Sequence, residues 1–247
     1  MAHPMPVVCV LLFLTLPAHA QEAKPLGSLA LDLNRLKTWG TKVYTFEASR
    51  PGSSEKTIMG EVALKTEVAG GLVVLNDRME ISFRGEKVSL DLTHRCKRDN
   101  YLSPIHIDSK GEGDDEFGTF VVTIDGERAT VRSEGREREM ELPNHVVTWS
   151  AFFRLVTLLP RQEGSRISYP YSLESEELHV KKDFLVECMG RDIVQSGPEG
   201  ISCTKFRLTG RGIHPAFYWV SDDGVLRQVL IDERKLMRLV DEPNKAR

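Results

Sequence analysis

Cysteine is scarce in this 247-residue chain, which limits what can hold the fold together. Of its four cysteines, Cys9 lies in an apolar stretch near the amino terminus, which leaves Cys96, Cys188 and Cys203. Three thiols allow at most one internal disulfide, so a disulfide framework is excluded and the fold must rest on its hydrophobic core. A bridge between Cys188 and Cys203 remains an alternative. Buried free thiols are favoured, because the hairpin pattern predicts that Cys203 faces a residue near Asp192.

An excess of charge of one sign is also missing. The 33 Lys and Arg residues nearly balance the 36 Asp and Glu residues, giving a formal charge of -3. This balance argues against a nucleic-acid partner, which requires a basic face, and against membrane attachment through a polybasic patch. The patterns G-x-S-x-G, H-E-x-x-H and C-x-x-C do not occur. The sequence therefore carries no common hydrolase, zinc or redox signature, and we expect no cofactor.

The amino terminus is apolar but too short to span a bilayer, which takes about 20 apolar residues. Residues 7–16 are apolar except for Thr15, and Ala18-His19-Ala20 follows. This length and this A-x-A site are typical of a signal peptide cleaved before Gln21. We expect residues 1–20 to be the signal peptide and residues 21–247 one domain, exported to the periplasm or secreted, without an integral membrane segment.

Alternation of apolar and polar residues dominates the remaining chain. It is clear in residues 62–68, 79–83, 88–92 and 178–186, and such a period of two is typical of half-buried strands in antiparallel sheets. Glycine-containing turns separate the runs. We expect about a dozen strands in meander order, with turns at Gly70-Gly71, Gly85-Glu86, Asp125-Gly126, Glu134-Gly135, Gly197-Pro198 and Asp222-Asp223-Gly224.

One segment breaks the alternation. Residues 144–159 contain no glycine and are apolar over most of a helical circumference. The pattern predicts a buried helix capped by Asn144 and stopped near Leu158 by Pro160. Trp149 and Phe152 are expected to anchor this helix in the core, whereas Arg154 lies on its narrow polar stripe. Leucines spaced by three and four predict a second, weaker helical stretch over residues 26–36.

Several residues are candidates for chemistry, although a structural role is favoured for each. His94 and His106 approach one another if their strands pair, and a metal site there needs Cys96 or Asp108 as a third ligand; histidines on the sheet surface are the favoured interpretation. The acidic loop over residues 112–116 lacks the spacing of a calcium loop and is interpreted as a solvated turn. No metal site is expected. A hydrolase that recruits residues from distant strands remains an alternative, with three candidates: Ser168, His179 and Asp183.

The order of the later elements resembles that of known exported proteins. The helix ends in the sequence LLPRQEG, and the segments GRDIV (190–194), GISCTKF (200–206) and YWVSDDG (218–224) follow. This arrangement is similar to that of uncharacterised exported (DUF-type) families related to the LolA/LolB-like lipoprotein-carrier superfamily, although Ile201 replaces the usual aromatic residue. The resemblance covers about half the mature chain and implies an open half-barrel with a concave apolar face around a helix. It transfers no ligand and no catalytic residue.

The sequence therefore predicts a mainly β protein, a single large antiparallel open half-barrel wrapped around one apolar helix. Because apolar concavities are common ligand sites, we expect a non-enzymatic protein that binds a lipid, an acyl chain or a lipidated protein, or that assists cell-envelope assembly. The alternatives are a structural or protein-interaction module with a filled core, and the hydrolase. The predicted ligand-binding residues are Trp39, Trp149, Phe152, Phe153, Val156 and Leu159.

Overall fold

The computed structural model describes residues 22–49, 56–83, 86–113, 118–174, 179–195, 199–232 and 234–240. Within these ranges the chain forms sixteen strands, one short α-helix and three 3-10 turns. The helix α1 is Trp149–Leu155, and the 3-10 turns are Leu26–Ser28, Leu33–Thr38 and Val156–Leu158. The strands are β1 Lys24–Pro25, β2 Gly40–Ser49, β3 Lys56–Ala69, β4 Leu72–Phe83, β5 Glu86–Lys97, β6 Pro104–Glu112, β7 Phe120–Asp125, β8 Arg128–Ser133, β9 Arg136–Glu141, β10 Val146–Thr148, β11 Arg166–Glu174, β12 His179–Val194, β13 Ile201–Thr209, β14 Ala216–Ser221, β15 Leu226–Ile231 and β16 Lys235–Leu239.

All the strands belong to one sheet, in the order β1-β11-β12-β13-β14-β15-β16-β2-β3-β4-β5-β6-β7-β8-β9, with β10 also paired to β11. Neighbours from β11 round to β9 are antiparallel, whereas β1 and β10 lie parallel to β11. No hydrogen-bonded pair among the described strands joins β9 to β11. The sheet is therefore open, and the predicted half-barrel around a helix is confirmed.

Side-chain packing brings the two ends of this open sheet together. A hydrophobic cluster from β6, β7 and β8 includes Val146 of β10 and Leu173 of β11. The larger core cluster lies around α1 and takes residues from β2 to β5 and from β11 to β16. The outermost strand, β9, has the sequence REREME and is mostly exposed. Alternating charges of this kind protect a free sheet edge from pairing with other chains.

The alternation and most turns are confirmed where the chain is described. Val62, Leu64 and Thr66 are buried along one face of β3. The turns at Gly70-Gly71, Asp125-Gly126, Glu134-Gly135 and Asp222-Asp223-Gly224 each join two paired strands. Other predictions lie wholly or partly outside the described residues: the signal peptide over residues 1–20, most of the acidic loop, and the turns at Gly85-Glu86 and Gly197-Pro198.

The helix is shorter than predicted. Its cap is Thr148, whose Oγ1 accepts a hydrogen bond from the Ala151 N–H at 3.1 Å, so the prediction of Asn144 as the cap is wrong. Residues Val146–Thr148 form β10 and pair with residues 171–173 of β11. A short apolar run fits a strand as well as a helix, and here the free edge of β11 takes it. The helical segment ends at Leu158, before Pro160, as predicted.

Residues 26–39, called here the N-terminal segment, also differ from the prediction. They form two 3-10 turns instead of one helical stretch. The turn between β5 and β6 holds this segment, because Asn100 Nδ2 donates to the carbonyl oxygens of Leu29, at 2.5 Å, and Gly27, at 3.2 Å. Leu36 and Trp39 are buried in the core around α1. The segment is therefore fixed at one end of the half-barrel.

The three cysteines of the described chain are free and buried. Cys203 pairs with Asp192 across β12 and β13, as predicted, whereas Cys188 pairs with Phe206. The two thiols therefore lie at different positions along the hairpin, and backbone pairing and core packing, not a disulfide, hold these strands together.

Candidate functional site: the interior around the helix

A buried ion pair connects the helix to the sheet. Arg154 of α1 is 0% exposed, and its guanidinium contacts Asp77 of β4 through two hydrogen bonds, Nη2 to Oδ1 at 2.5 Å and Nη1 to Oδ2 at 3.2 Å. Such bidentate pairing satisfies both charges in a fixed geometry. Ser150, Arg154 and Thr157 form the predicted polar stripe of the helix, and all three are buried.

The remaining donors of Arg154 are also satisfied. Its Nε donates to Thr66 Oγ1 at 3.0 Å, and its Nη2 donates to the Lys65 carbonyl oxygen at 3.0 Å. Its Nη1 donates back to the Ser150 carbonyl oxygen one helical turn earlier, at 3.1 Å. The Trp39 ring lies 5.8 Å from the guanidinium carbon, within range of a cation–π contact. Arg154 thus connects α1, β3, β4 and the N-terminal segment.

A buried histidine lies beside this ion pair. His94 of β5 is completely buried, and its Nδ1 is 3.0 Å from the Oγ1 of Thr148, the helix cap. Burial lowers the pKa of His94 from 6.5 to about 4; Asp77 opposes this shift and Arg154 adds to it. The imidazole is therefore neutral at pH 7 and acts as a hydrogen-bonding group.

Three buried polar atoms in this region lack hydrogen-bond partners in the described structure: Trp39 Nε1, His94 Nε2 and the Tyr218 hydroxyl. Buried polar groups are nearly always hydrogen-bonded, so each is a place where a polar atom can be bound. The Tyr218 ring is 5.0 Å from Phe152 and 6.3 Å from Phe153. Burial raises the pKa of Tyr218 well above 10, which keeps its hydroxyl protonated. The interior therefore combines aromatic walls with a few unpaired hydrogen-bonding atoms.

The six predicted ligand-binding residues all belong to, or pack against, the core around α1. Four are buried, namely Trp39, Phe152, Val156 and Leu159, whereas Trp149 and Phe153 are partly exposed. Of the two expected anchors, Phe152 belongs to the core cluster, whereas Trp149 packs against that cluster and is only partly buried. Ligand binding by these residues stays a prediction.

Two surface hollows are lined by described residues, and neither includes a predicted ligand-binding residue. The larger, about 450 Å³, lies on β3 to β6. The smaller, about 110 Å³, lies at the turn between β5 and β6. The larger hollow is lined by Met59, Glu80, Ile81, Ser82, Lys87, Val88, Ser89 and Glu112. Three of these eight residues are charged, and the hollow is separate from the core around α1.

The candidate metal ligands do not converge. His94 and Cys96 lie on the inner face of β5, whereas His106 pairs with the outward-facing Arg95 and is therefore on the outer face. Within the described ranges, no group of three or more His, Cys, Asp or Glu side chains is placed to hold a metal ion. The prediction of surface histidines is wrong for His94.

Two of the three hydrolase candidates lie far apart along the sheet. Ser168 of β11 pairs with Leu185 of β12, and His179 lies six residues from Leu185 along β12, roughly 20 Å at 3.3 Å per residue. Asp183 lies two residues from Leu185 on β12, and its φ is 61°. The structure therefore does not bring Ser168 and His179 together.

Sequence reasoning missed Thr66, Asp77 and His94 as one group. Each is a polar residue among the inward-facing residues of its strand, and this was the available signal.

In the described part of the chain, no helix is long and apolar enough to cross a membrane.

Comparison with known proteins supports the fold and nothing finer. No family model matches the sequence, and no curated protein matches it significantly. The fold is similar to that of a beta-barrel-like protein of a domain of unknown function, DUF1849, from Brucella abortus. That crystal structure has a TM-score of 0.54 and 10% sequence identity, with 81% of this chain and 95% of the other covered. At this identity the likeness establishes a barrel-like fold that this chain shares with a domain of unknown function.

Proposed function

We propose that this protein is exported and binds an apolar ligand, such as an acyl chain, against the partly exposed apolar side chains of α1. The observation that carries the proposal is the uneven burial of the helix. Trp149 and Phe153, which share a face at a spacing of four, and Leu158 are only partly buried although they pack against the core. They leave part of their apolar surface exposed beside the core.

The N-terminal segment extends this surface. Leu29, Leu31 and Leu33 alternate along it, and each is partly exposed while packing against the same core cluster as α1. Apolar side chains at the edge of a filled core are a suitable contact for an acyl chain. Val156 and Leu159 are already buried in the core. The ligand therefore lies along the partly exposed side chains of α1 and the N-terminal segment, or it displaces the N-terminal segment. The sequence resemblance to families related to LolA/LolB-like carriers implies a concave apolar face around the helix, and the proposed ligand, a lipid or a lipidated protein, requires such a face.

Titration with fatty acids of increasing length tests this proposal. Each methylene group removed from water contributes about 0.8 kcal/mol, so affinity is expected to rise with chain length until the surface is covered. Phe153→Asp is expected to weaken binding about tenfold, because a carboxylate is then desolvated by the chain. The measurement is isothermal titration calorimetry on mature protein that circular dichroism shows to be folded.

Ile193→Asp is the matched control for Phe153→Asp. Ile193 is 63% exposed on β12 and belongs to neither large core cluster, so its replacement is expected to leave binding unchanged. Weak binding that does not depend on chain length would contradict the proposal. It would favour the second candidate, a structural or interaction module, to which the filled core beneath α1 is also suited.

Export makes a separate prediction. If residues 1–20 are a signal peptide, the mature protein begins at Gln21. Mass spectrometry of the protein recovered from the periplasm or the medium is expected to give this terminus. Recovery of the chain with its leader intact in a membrane fraction would contradict export as a soluble protein.

A further inference from the structure

Arginines from separate parts of the chain meet at the turn between β14 and β15. Arg35 comes from the 3-10 turn Leu33–Thr38, Arg161 follows the helical segment, and Arg191 belongs to β12. Arg161 Nη1 donates to the Ser221 carbonyl oxygen at 2.9 Å. Arg191 forms two hydrogen bonds to Asp222, at 2.5 and 3.0 Å. Three arginines from separate parts of the chain therefore lie around this turn.

One nitrogen of Arg161 has no acceptor. Its Nη2 is buried and makes no hydrogen bond within the described structure, whereas Nη1 reaches Ser221 and lies 3.6 Å from Asp222 Oδ1. An unsatisfied N–H on a charged group is costly to bury, so this nitrogen favours an acceptor that the described chain does not supply.

Arg35 is exposed, and its guanidinium makes no hydrogen bond or ion pair with any described residue. It lies against Gly224, where φ is +84° and a Cβ atom would overlap with its Nη2. The same Cβ position is 3.9 Å from Arg161 Nη2, so the two guanidinium groups lie on the same side of the turn. Burial, and next the charge of Arg35, lower the pKa of Arg161. Two like charges thus lie together without full compensation.

Neither Asp222 nor Asp223 accepts a hydrogen bond from Arg161 Nη2 or from the Arg35 guanidinium. Asp222 is held by Arg191, and Asp223 accepts hydrogen bonds from Arg227 at 3.0 Å and from Ser221 Oγ at 2.5 Å. Glu163 is exposed and forms no hydrogen bond or ion pair with a described residue. The acidic side chains therefore leave the Nη2 atom of Arg161 and the whole guanidinium of Arg35 available.

We propose that Arg35 and Arg161 bind an oxyanion, a phosphate or carboxylate group, and that it is the head group of the amphiphile whose chain lies against α1. Guanidinium groups bind such anions through paired hydrogen bonds. Arg161 follows Leu159 by two residues, and Leu33 and Leu36 flank Arg35 within one turn and pack against the core. Arg35 and Arg161 therefore lie within a few residues, along the sequence, of side chains that form the apolar surface. The identification of the anion as a head group rests on the proposed function; the anion site itself does not.

Three ligands separate the anion from the chain: decyl phosphate, decanol and inorganic phosphate. Calorimetric titration of the mature protein is expected to give at least about tenfold tighter binding of decyl phosphate than of decanol, or about 1.4 kcal/mol. Arg35→Gln and Arg161→Gln are expected to remove this difference and to leave decanol binding unchanged. Arg95→Gln is the matched control, because Arg95 is exposed on the outer face of β5 and has no ion pair with a described residue.

The outcomes are distinct for the two proposals. Equal binding of decyl phosphate and decanol would overturn the anion site and leave the apolar site standing. Binding of inorganic phosphate alone, lost in Arg35→Gln, would support the anion site for a free anion and contradict the apolar site. Tighter binding of decyl phosphate that survives in the folded Arg35→Gln and Arg161→Gln variants would also overturn the anion site. Arg35 is exposed, so its variant is expected to fold.

Discussion

Arg154→Ala is expected to lower the free energy of unfolding by about 3–5 kcal/mol, the usual cost of removing one partner from a buried ion pair. The change leaves the Asp77 carboxylate, only 10% exposed, without its counter-ion. It also removes the donors that hold Thr66 Oγ1 and the Lys65 carbonyl oxygen against the helix. Chemical denaturation monitored by circular dichroism measures the effect.

Arg78→Ala is the control for this prediction. Arg78 follows Asp77 on β4, is 63% exposed, and pairs with Glu80 and Asp91 on the outer face. Exposed pairs contribute about 0–1 kcal/mol, so its replacement is expected to change stability by less than 1 kcal/mol. A double-mutant cycle with Asp77→Asn is expected to show that the effects of the Arg154 and Asp77 changes are not additive. Equal costs for Arg154→Ala and Arg78→Ala would contradict the role of the buried pair.

The position of Arg154 shows what the sequence could and could not reveal. Helical spacing correctly grouped Ser150, Arg154 and Thr157, but periodicity identifies the residues that share a face, not the surface that covers them. The complementary signal was in the strands. Thr66 continues the inward set of β3, and Asp77 lies between Leu75 and Met79 on the inward set of β4. Polar residues on the inward-facing sides of β3, β4 and β5, together with a polar stripe on the helix, indicate a buried polar network.

Local signals were sufficient for the strands and turns but not for the path of the sheet. Asp222-Asp223-Gly224 sets a hairpin by itself, because a glycine at positive φ fits that turn. The pairing of β16 with β2 joins residues about 190 positions apart, such as Met237 with Phe46. No local pattern encodes this pairing. The same limit applies to β10, where a free edge of β11 decided between strand and helix.

The arginine site was missed for a related reason. Arg35, Arg161 and Arg191 are far apart in the sequence, and each is an ordinary surface residue in its own segment. They are neighbours only because the 3-10 turn Leu33–Thr38, the segment after the helix and β12 all approach the turn that contains Gly224. The near-neutral overall charge correctly argued against a broad basic face, but a total charge does not exclude a local cluster.

Stability is expected to fall as the pH drops from about 6.5 to about 4, and His94 is expected to be a main cause. The unfolded chain binds a proton at His94 near pH 6.5, whereas burial lowers its pKa in the folded protein to about 4. Between these values the unfolded state holds more protons, so the free energy of unfolding decreases as the pH falls. At 1.36 kcal/mol for each pKa unit, the loss attributable to His94 is about 3 kcal/mol across the window.

His94→Asn isolates this effect, because an asparagine amide can occupy the place of Nδ1 and keep a hydrogen bond to Thr148 without titrating. Denaturation curves at pH 4.5, 5.5, 6.5 and 7.5 are expected to show a shallower loss of stability in His94→Asn than in the unmodified protein. His106→Asn is the control: His106 is only partly buried and lies on the outer face of the neighbouring strand, so this variant is expected to retain the original pH profile. Asp77 and Arg154, the charged groups that influence His94, are unchanged in both variants.

Parallel profiles for His94→Asn and the unmodified protein would show that the imidazole takes up its proton as readily in the folded chain as in the unfolded one. That result would contradict the burial of His94 beside the helix cap.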